Sequence, residues 1–165
     1  MVPQLFPPKS INQVGIVVRD LEVSMHRYWE KMGVGGWRVF TYGPPLLKEM
    51  TYRGKSQPYA MRIGLAMVGN VQIELIQSVL GPNIYEEFLE KHGEGAHHIL
   101  TVVDDFVTAT AELESRGYPL LQSGHGFGLG GDGSFGYFDT TADLGTILEI
   151  AQYPKERVAP EMTYP

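Results

Sequence analysis

Four residues, Gln13, Glu74, His98 and Glu149, carry the clearest chemical potential in this 165-residue sequence. Together they supply an amide oxygen, an imidazole nitrogen and two carboxylate oxygens. That mixed set suits one first-row divalent ion such as Zn, Ni, Co, Mn or Fe, and two carboxylates would neutralise its charge. The residues lie too far apart for any local ligand motif, and what groups them is a repeat. Superimposing Gln13-Val-Gly-Ile-Val-Val on His98-Ile-Leu-Thr-Val-Val pairs Gln13 with His98. Aligning Glu74-Leu-Ile-Gln77 with Glu149-Ile-Ala-Gln152 pairs the two glutamates. Each residue interrupts an apolar strand, where an unpaired buried polar group would cost roughly 2–7 kcal/mol, so the four call for a common partner. Taken singly, each also has a plainer explanation. Gln13 could bond a neighbouring strand's backbone, His98 could be a satisfied core histidine, and each glutamate could face solvent.

The elements that must position these residues read as β-α-β-β-β, twice. Ile11 to Val18 has strand composition, and Asp20 can cap a helix whose apolar Leu21, Met25, Tyr28, Trp29 and Met32 share one face before Gly33. A strand near 37–42, a long irregular stretch carrying Pro44, Pro45, Gly54 and Pro58, and runs at 59–68 and 71–78 joined by Gly69-Asn70 complete the first module. A short helix near 83–91 leads to the second. There 96–105 reads as a strand, 106–116 as a helix stopped by Gly117, and 119–123, 135–140 and 146–152 as strands. The expected class is α+β in one domain, with module one at 11–80 and module two at 96–154. The Pro-rich ends, 1–10 and 155–165, read as irregular arms outside the core.

Composition excludes several classes. The sequence has no cysteine, so disulfide scaffolds, zinc ribbons, iron–sulfur clusters and thiol nucleophiles are out. Its 13 Lys+Arg against 19 Asp+Glu give a net charge of −6 without a basic run, which disfavours nucleic acid and anionic membranes. No apolar run nears the roughly 18 residues of a membrane span. The opening Met-Val-Pro-Gln lacks the pattern of a signal peptide, so a cytoplasmic protein acting on a small molecule is expected.

The segments Ile11-Asn-Gln-Val-Gly-Ile-Val-Val-Arg-Asp-Leu, Val68-Gly-Asn-Val-Gln-Ile-Glu-Leu-Ile-Gln77, His92-Gly-Glu-Gly-Ala-His-His-Ile and Leu144-Gly-Thr-Ile-Leu-Glu-Ile-Ala-Gln-Tyr-Pro154 carry a family resemblance. They resemble the vicinal oxygen chelate superfamily (glyoxalases, bleomycin-resistance proteins and dioxygenases) and, within it, the methylmalonyl-CoA epimerases. The resemblance spans about residues 11–154. It implies two βαβββ modules forming a half-open barrel around one divalent metal, with a ligand on the first and last strand of each module. By motif those positions are Gln13, Glu74, His98 and Glu149. His97, beside the ligand, should face away by strand alternation. Epimerases usually have His where this chain has Gln13, whereas a Gln, Glu, His, Glu set resembles eukaryotic zinc glyoxalase I. The 38–62 segment is also longer and more aromatic than an epimerase requires.

The shared chemistry implied is removal of a proton next to a carbonyl, with Glu149 as base and Glu74 serving the opposite face. The expectation is a metal-dependent epimerase or isomerase on a carbonyl or thioester substrate. A glyoxalase I-like lyase acting on a thiohemiacetal and a metal-free, ligand-sequestering protein of the bleomycin-resistance type are the alternatives. An extradiol dioxygenase wants two His and one carboxylate, and Gln13 removes one His. Related folds commonly pair, so the resemblance allows a homodimer.

Other motifs read more weakly. Gly124-His-Gly-Phe-Gly-Leu-Gly-Gly-Asp-Gly-Ser-Phe-Gly136 lacks Gly-Lys-Ser/Thr and does not run from strand into helix, so it is read as a flexible connection. It could form a lid, with His125 and Phe127 reaching substrate. Tyr42, Met50, Tyr52, Tyr59 and Met61 could wall a pocket, although ordinary packing explains them better. Arg53, Lys55 and Arg62 could meet an anion, with scattered surface charge an equal explanation. His26 and His92 sit on helices and receive no catalytic role.

Overall fold

A computed structural model describes residues 11–165, so the arm expected at residues 1–10 lies outside the described residues. The chain forms β1 (Gln13–Val17), α1 (Leu21–Met32), β2 (Trp37–Tyr42), β3 (Glu49–Tyr52), β4 (Lys55–Ser56), β5 (Ala60–Val68) and β6 (Val71–Leu80). It continues with α2 (Ile84–His92), β7 (Gly95–Val102), α3 (Phe106–Ser115), β8 (Leu120–Phe127), β9 (Gly133–Phe138), α4 (Thr141–Leu144), β10 (Ile147–Gln152) and β11 (Met162–Tyr164). The described strands join one mixed sheet in the order β11-β2-β5-β6-β1-β7-β10-β9-β8-β3-β4. At its centre, β2-β5-β6-β1 and β7-β10-β9-β8 are the same four-strand unit used twice. The sheet curls without closing. Tyr42 at the end of β2 meets Phe127 at the end of β8 edge-to-face, with ring centroids 5.3 Å apart.

The repeat is legible in the register. Gln13 lies opposite Leu100 and Gly15 opposite His98 across the antiparallel β1–β7 seam, as a two-fold relation requires. Parallel pairing then sets Glu74 beside Gly15 and Glu149 beside Leu100. The helix starts repeat as well. Asp20 and Asp105 cap α1 and α3 by accepting from Val23 N and Thr108 N. The first helical N–H groups, of Leu21 and Phe106, donate to Gln77 and Gln152 of the modules' last strands, at 2.9 and 3.0 Å. Each helix lies on the outer face of its own module. Leu21 and Met25 of α1 bury with Leu75 and Trp37, and Phe106, Ala109 and Leu113 of α3 bury with Phe138 and Ile150.

Three expected segments differ from the sequence reading. The stretch after β2 is not merely irregular, because it leaves module one and pairs β3 with β8 of module two, Met50 opposite Gly124. Its aromatic and apolar residues pull it there, with Leu47, Met50 and Tyr59 buried in the interior cluster. The glycine-rich segment is mostly strand, since β8 runs to Phe127 and β9 starts at Gly133. Glycine is needed at 124 and 133 because a Cβ would strike the rings of Phe135 and Phe127.

The C-terminal residues are likewise not an arm outside the core. β11 pairs antiparallel with β2, Thr163 opposite Arg38, and covers its exposed edge. Glu161 takes the Thr41 N–H at 2.8 Å, and the Tyr164 hydroxyl meets His26 Nδ1 at 2.9 Å. Deleting residues 160–165 is expected to cost about 1–2 kcal/mol in lost hydrogen bonds. Thermal denaturation would register this as a fall of about 2–4 °C per kcal/mol, and an unchanged midpoint would show that the strand adds no stability.

Candidate metal centre

Strand alternation builds the interior face of the barrel. Met61, Ile63 and Leu65 of β5, Gln72 and Glu74 of β6, Phe135 and Tyr137 of β9, and Glu149 with Ala151 of β10 line one cavity of about 60 Å³ that opens to solvent. Gln13, Tyr42, Leu100, Phe127, Tyr153 and Arg157 complete its wall. Its sides are largely apolar, and its polar groups gather toward the central seam.

Glu74, His98 and Glu149 are buried there, with one ligating atom of each within 4.8 Å of the others. His98 Nε2 lies 2.8 Å from Glu149 Oε2 and 3.4 Å from Glu74 Oε2. These approaches lack hydrogen-bond alignment, and all three atoms are left without a hydrogen-bond partner. Gln13 Oε1 is a fourth such atom, while the Gln13 amide N–H donates to Gln72 Oε1 at 2.9 Å. Orphaned buried polar atoms are rare in folded proteins. Three that converge, with a fourth on the same wall, fit a divalent cation that accepts nitrogen and oxygen lone pairs. The cluster is thus able to chelate a divalent metal.

Electrostatics agree. Burial alone would lower the His98 pKa, but the attraction of Glu149 and Glu74 outweighs it and raises the value. The Glu149 carboxyl is pushed up, chiefly by burial and further by Glu74, against the opposing pull of His98 and a Tyr137 hydrogen bond. Two buried carboxylates without a second positive partner repel, and a cation between them removes that repulsion. Burial first, then Glu74, pushes the Tyr42 hydroxyl up to about 12. Burial and then Glu149 raise Tyr153 to about 12. Both residues line the cavity, and their hydroxyls stay protonated at neutral pH.

The backbone around His98 is specialised. Gly15 has no side chain to block the imidazole, for a Cβ there would sit 1.9 Å from His98 Cε1 and 2.2 Å from Nε2. Gly15→Ala is expected to swing the ring away and weaken metal binding at least about tenfold, in line with losses on disturbing ligand support. Competition with a metal indicator checks this, and unchanged affinity would remove the role given to Gly15. His97 does not simply face away as alternation predicts. A β-bulge opposite the Gly15–Ile16 step inserts His97 as an extra residue, so its Nδ1 lies 3.0 Å from His98 Nδ1. Burial, then His98, holds the His97 pKa well below its usual range. A neutral His97 can accept the His98 Nδ1–H and leave Nε2 free to ligate.

Sequence reading missed Tyr137, Gln72, Tyr153 and Arg157. Tyr137 accepts from the buried Tyr85 hydroxyl at 2.8 Å and lies opposite Glu149 in register, where it opposes the upward shift of that carboxyl. The period-2 spacing Gln72/Glu74 and Glu149/Ala151/Tyr153 was a usable signal. Arg157 had none, because its segment read as an arm. Of the expected contributors, Phe127, Tyr42 and Met61 do line the cavity. His125 instead turns outward against the Phe106 ring and bonds Ser134 at 3.0 Å. Met50 and Tyr59 are core residues, and Tyr52 hydrogen-bonds Glu87. Arg53 and Arg62 pair with Glu87 and Glu22, while Lys55 is exposed on β4. His26 pairs with Glu30, and His92 packs on Phe88.

Residues 12–137 match the family described as the glyoxalase/bleomycin resistance protein/dioxygenase superfamily. Among curated proteins, none matches the sequence. Among solved structures, Streptomyces coelicolor methylmalonyl-CoA epimerase in complex with 2-nitronate-propionyl-CoA is similar at 18% identity and TM-score 0.63, covering 86% of this chain and 95% of that one. Mycobacterium tuberculosis methylmalonyl-CoA epimerase is similar at 21% identity and TM-score 0.59, covering 91% and 95%. A hypothetical protein from Bacillus halodurans gives 16% identity and TM-score 0.62, covering 90% and 97%. At these identities the likeness is one of fold.

Proposed function

The chain belongs to the glyoxalase/bleomycin resistance protein/dioxygenase superfamily, and on that premise we propose that it is a metal-dependent epimerase or isomerase acting on the carbon next to a carbonyl. The observation that carries this reading is the set of four buried atoms without a hydrogen-bond partner, Gln13 Oε1, Glu74 Oε2, His98 Nε2 and Glu149 Oε2. Those residues would hold one divalent ion. When bound, the ion stabilises the negative charge that grows on a carbonyl oxygen as the adjacent C–H proton leaves.

The chain's own groups do the rest. Glu149, whose basicity burial raises, takes the proton on one face. Glu74, from the other module and also lining the cavity, serves the opposite face, the arrangement that inversion of a carbon centre needs. The hydrogen-bonded Tyr85–Tyr137 pair stands beside Glu149 on the neighbouring strand and walls it from the core side. The apolar walls from Met61, Ile63, Leu65, Phe127 and Phe135 limit the water that could compete. The fold shared with the methylmalonyl-CoA epimerases supports a thioester of that kind as substrate.

Gln13 favours a second reading, a glyoxalase I-like lyase acting on a thiohemiacetal, because its free amide oxygen completes the Gln, Glu, His, Glu set. Deuterium exchange into methylmalonyl-CoA, set beside turnover of the methylglyoxal–glutathione adduct, separates the two. The epimerase reading expects exchange in the first and none in the second. A purified protein with under about a tenth of an equivalent of metal, and inert with added Zn, Ni, Co or Mn, would overturn both. It would point instead to a ligand-sequestering protein.

A further inference from the structure

The cavity wall carries three charged residues among the described ones, Glu74, Glu149 and Arg157. Both carboxylates would be taken by the metal in the reading above, and Arg157 is the charge left to face a substrate. Its guanidinium carbon lies 4.3 Å from the centroid of the Tyr153 ring, a cation–π arrangement at the barrel mouth. It is close enough to Tyr42 to lower that hydroxyl's pKa against the pull of burial and Glu74. No carboxylate pairs with it among the described residues, whereas Arg53 and Arg62, also near the insertion, are taken by Glu87 and Glu22.

The segment that presents Arg157 is pinned. Pro154 packs where a side chain on Gly128 would be. The Lys155 N–H reaches Asp132 Oδ2 at 3.3 Å, and the Leu129 N–H donates to Glu156 O at 2.9 Å. Val158 packs on the interior cluster, and β11 then ties the chain to β2. A guanidinium seated on the Tyr153 ring at the wall of the cavity, exposed to solvent and without a carboxylate partner among the described residues, can bind an oxyanion. One unpaired cation balances one negative charge, which matches a carboxylate better than the double charge of a phosphate monoester.

We infer that Arg157, seated on Tyr153, is a specificity residue that receives a carboxylate substituent of the substrate while its carbonyl lies toward the metal centre. This rests on the metal-dependent reading above and gives Arg157 of this chain the part of recognising the substrate's carboxylate.

Calorimetric titration of the zinc-loaded protein with hydroxamates, which chelate metals through one end, tests it. Acetohydroxamate carries no charge at its far end, whereas the monohydroxamates of succinic, glutaric and adipic acid carry a carboxylate on spacers of increasing length. At least one of these three is expected to bind about tenfold more tightly than acetohydroxamate. Arg157→Met should abolish that preference, and Arg157→Lys should keep part of it. No preference in the parent protein, or an equal loss for neutral and carboxylate ligands in Arg157→Met, overturns the inference and leaves the metal centre standing. If the zinc-loaded parent binds no hydroxamate at all, the metal-dependent reading fails and this inference fails with it.

Discussion

Glu149→Gln is expected to slow deuterium exchange at the substrate's α-carbon by about 10²–10⁴-fold, the range typical of losing a positioned general base. The substitution keeps shape, and the Gln carbonyl remains an acceptor beside Tyr137, the register partner of Glu149. Removing one of two buried carboxylates also relieves its repulsion with Glu74. The folded state should therefore survive, and much of the metal should remain on Gln13, Glu74 and His98. Exchange followed by NMR, with metal content measured on the same sample, separates the loss of a base from the loss of a ligand. Near wild-type exchange would sink the assignment of Glu149. Glu74→Gln is the companion case. If the two glutamates serve opposite faces, it should depress inversion while exchange from the Glu149 side continues.

His98→Ala is expected to take bound metal from about one equivalent to under a tenth, because the nitrogen ligand lies at the centre of the cluster. His98 is also the positive partner of two buried carboxylates, 2.8 and 3.4 Å from their oxygens. Removing one member of a buried charge set strands the others, at a cost of about 3–5 kcal/mol. Chelator treatment of the unaltered protein keeps the test valid should this variant fold poorly. Stripping metal should lower the unfolding midpoint, and restoring it at 100 times its dissociation constant should return about 2.7 kcal/mol. An unfolding midpoint indifferent to chelator and to added metal would mean that the four orphaned atoms do not share a cation.

How much of this was legible in the sequence depended on whether the controlling forces were local. Helix α1 lies where Asp20 and Gly33 set its ends, and the hairpin at Gly69-Asn70 joins β5 and β6. Caps, turn residues and hydrophobic period act over a few residues, so composition reveals them. The pairing of Gln13 with His98 and of Glu74 with Glu149 was also legible, because the chain repeats its own module and register follows the repeat.

Other features required distant partners. The bulge at His97 arises from a mismatch between β1 and β7 that neither strand displays alone. The move of β3 across to β8 depends on burying Leu47, Met50 and Tyr59 in a cluster built from both modules. Residues 153–165 looked irregular because proline disfavours regular structure locally, yet the bare edge of β2 supplied the hydrogen-bond partners for β11.

By itself, then, the sequence determined the double βαβββ plan, the helix caps and the four residues with ligand chemistry, since each depends on residue type and short-range period. Tertiary structure alone decided that three ligating atoms would meet within 4.8 Å, that Gly15 would leave room for His98, and that Arg157 would reach the cavity rim. Those outcomes depend on the curvature of one sheet and on side chains brought together from strands far apart in sequence. A local pattern carries no record of distances set in that way.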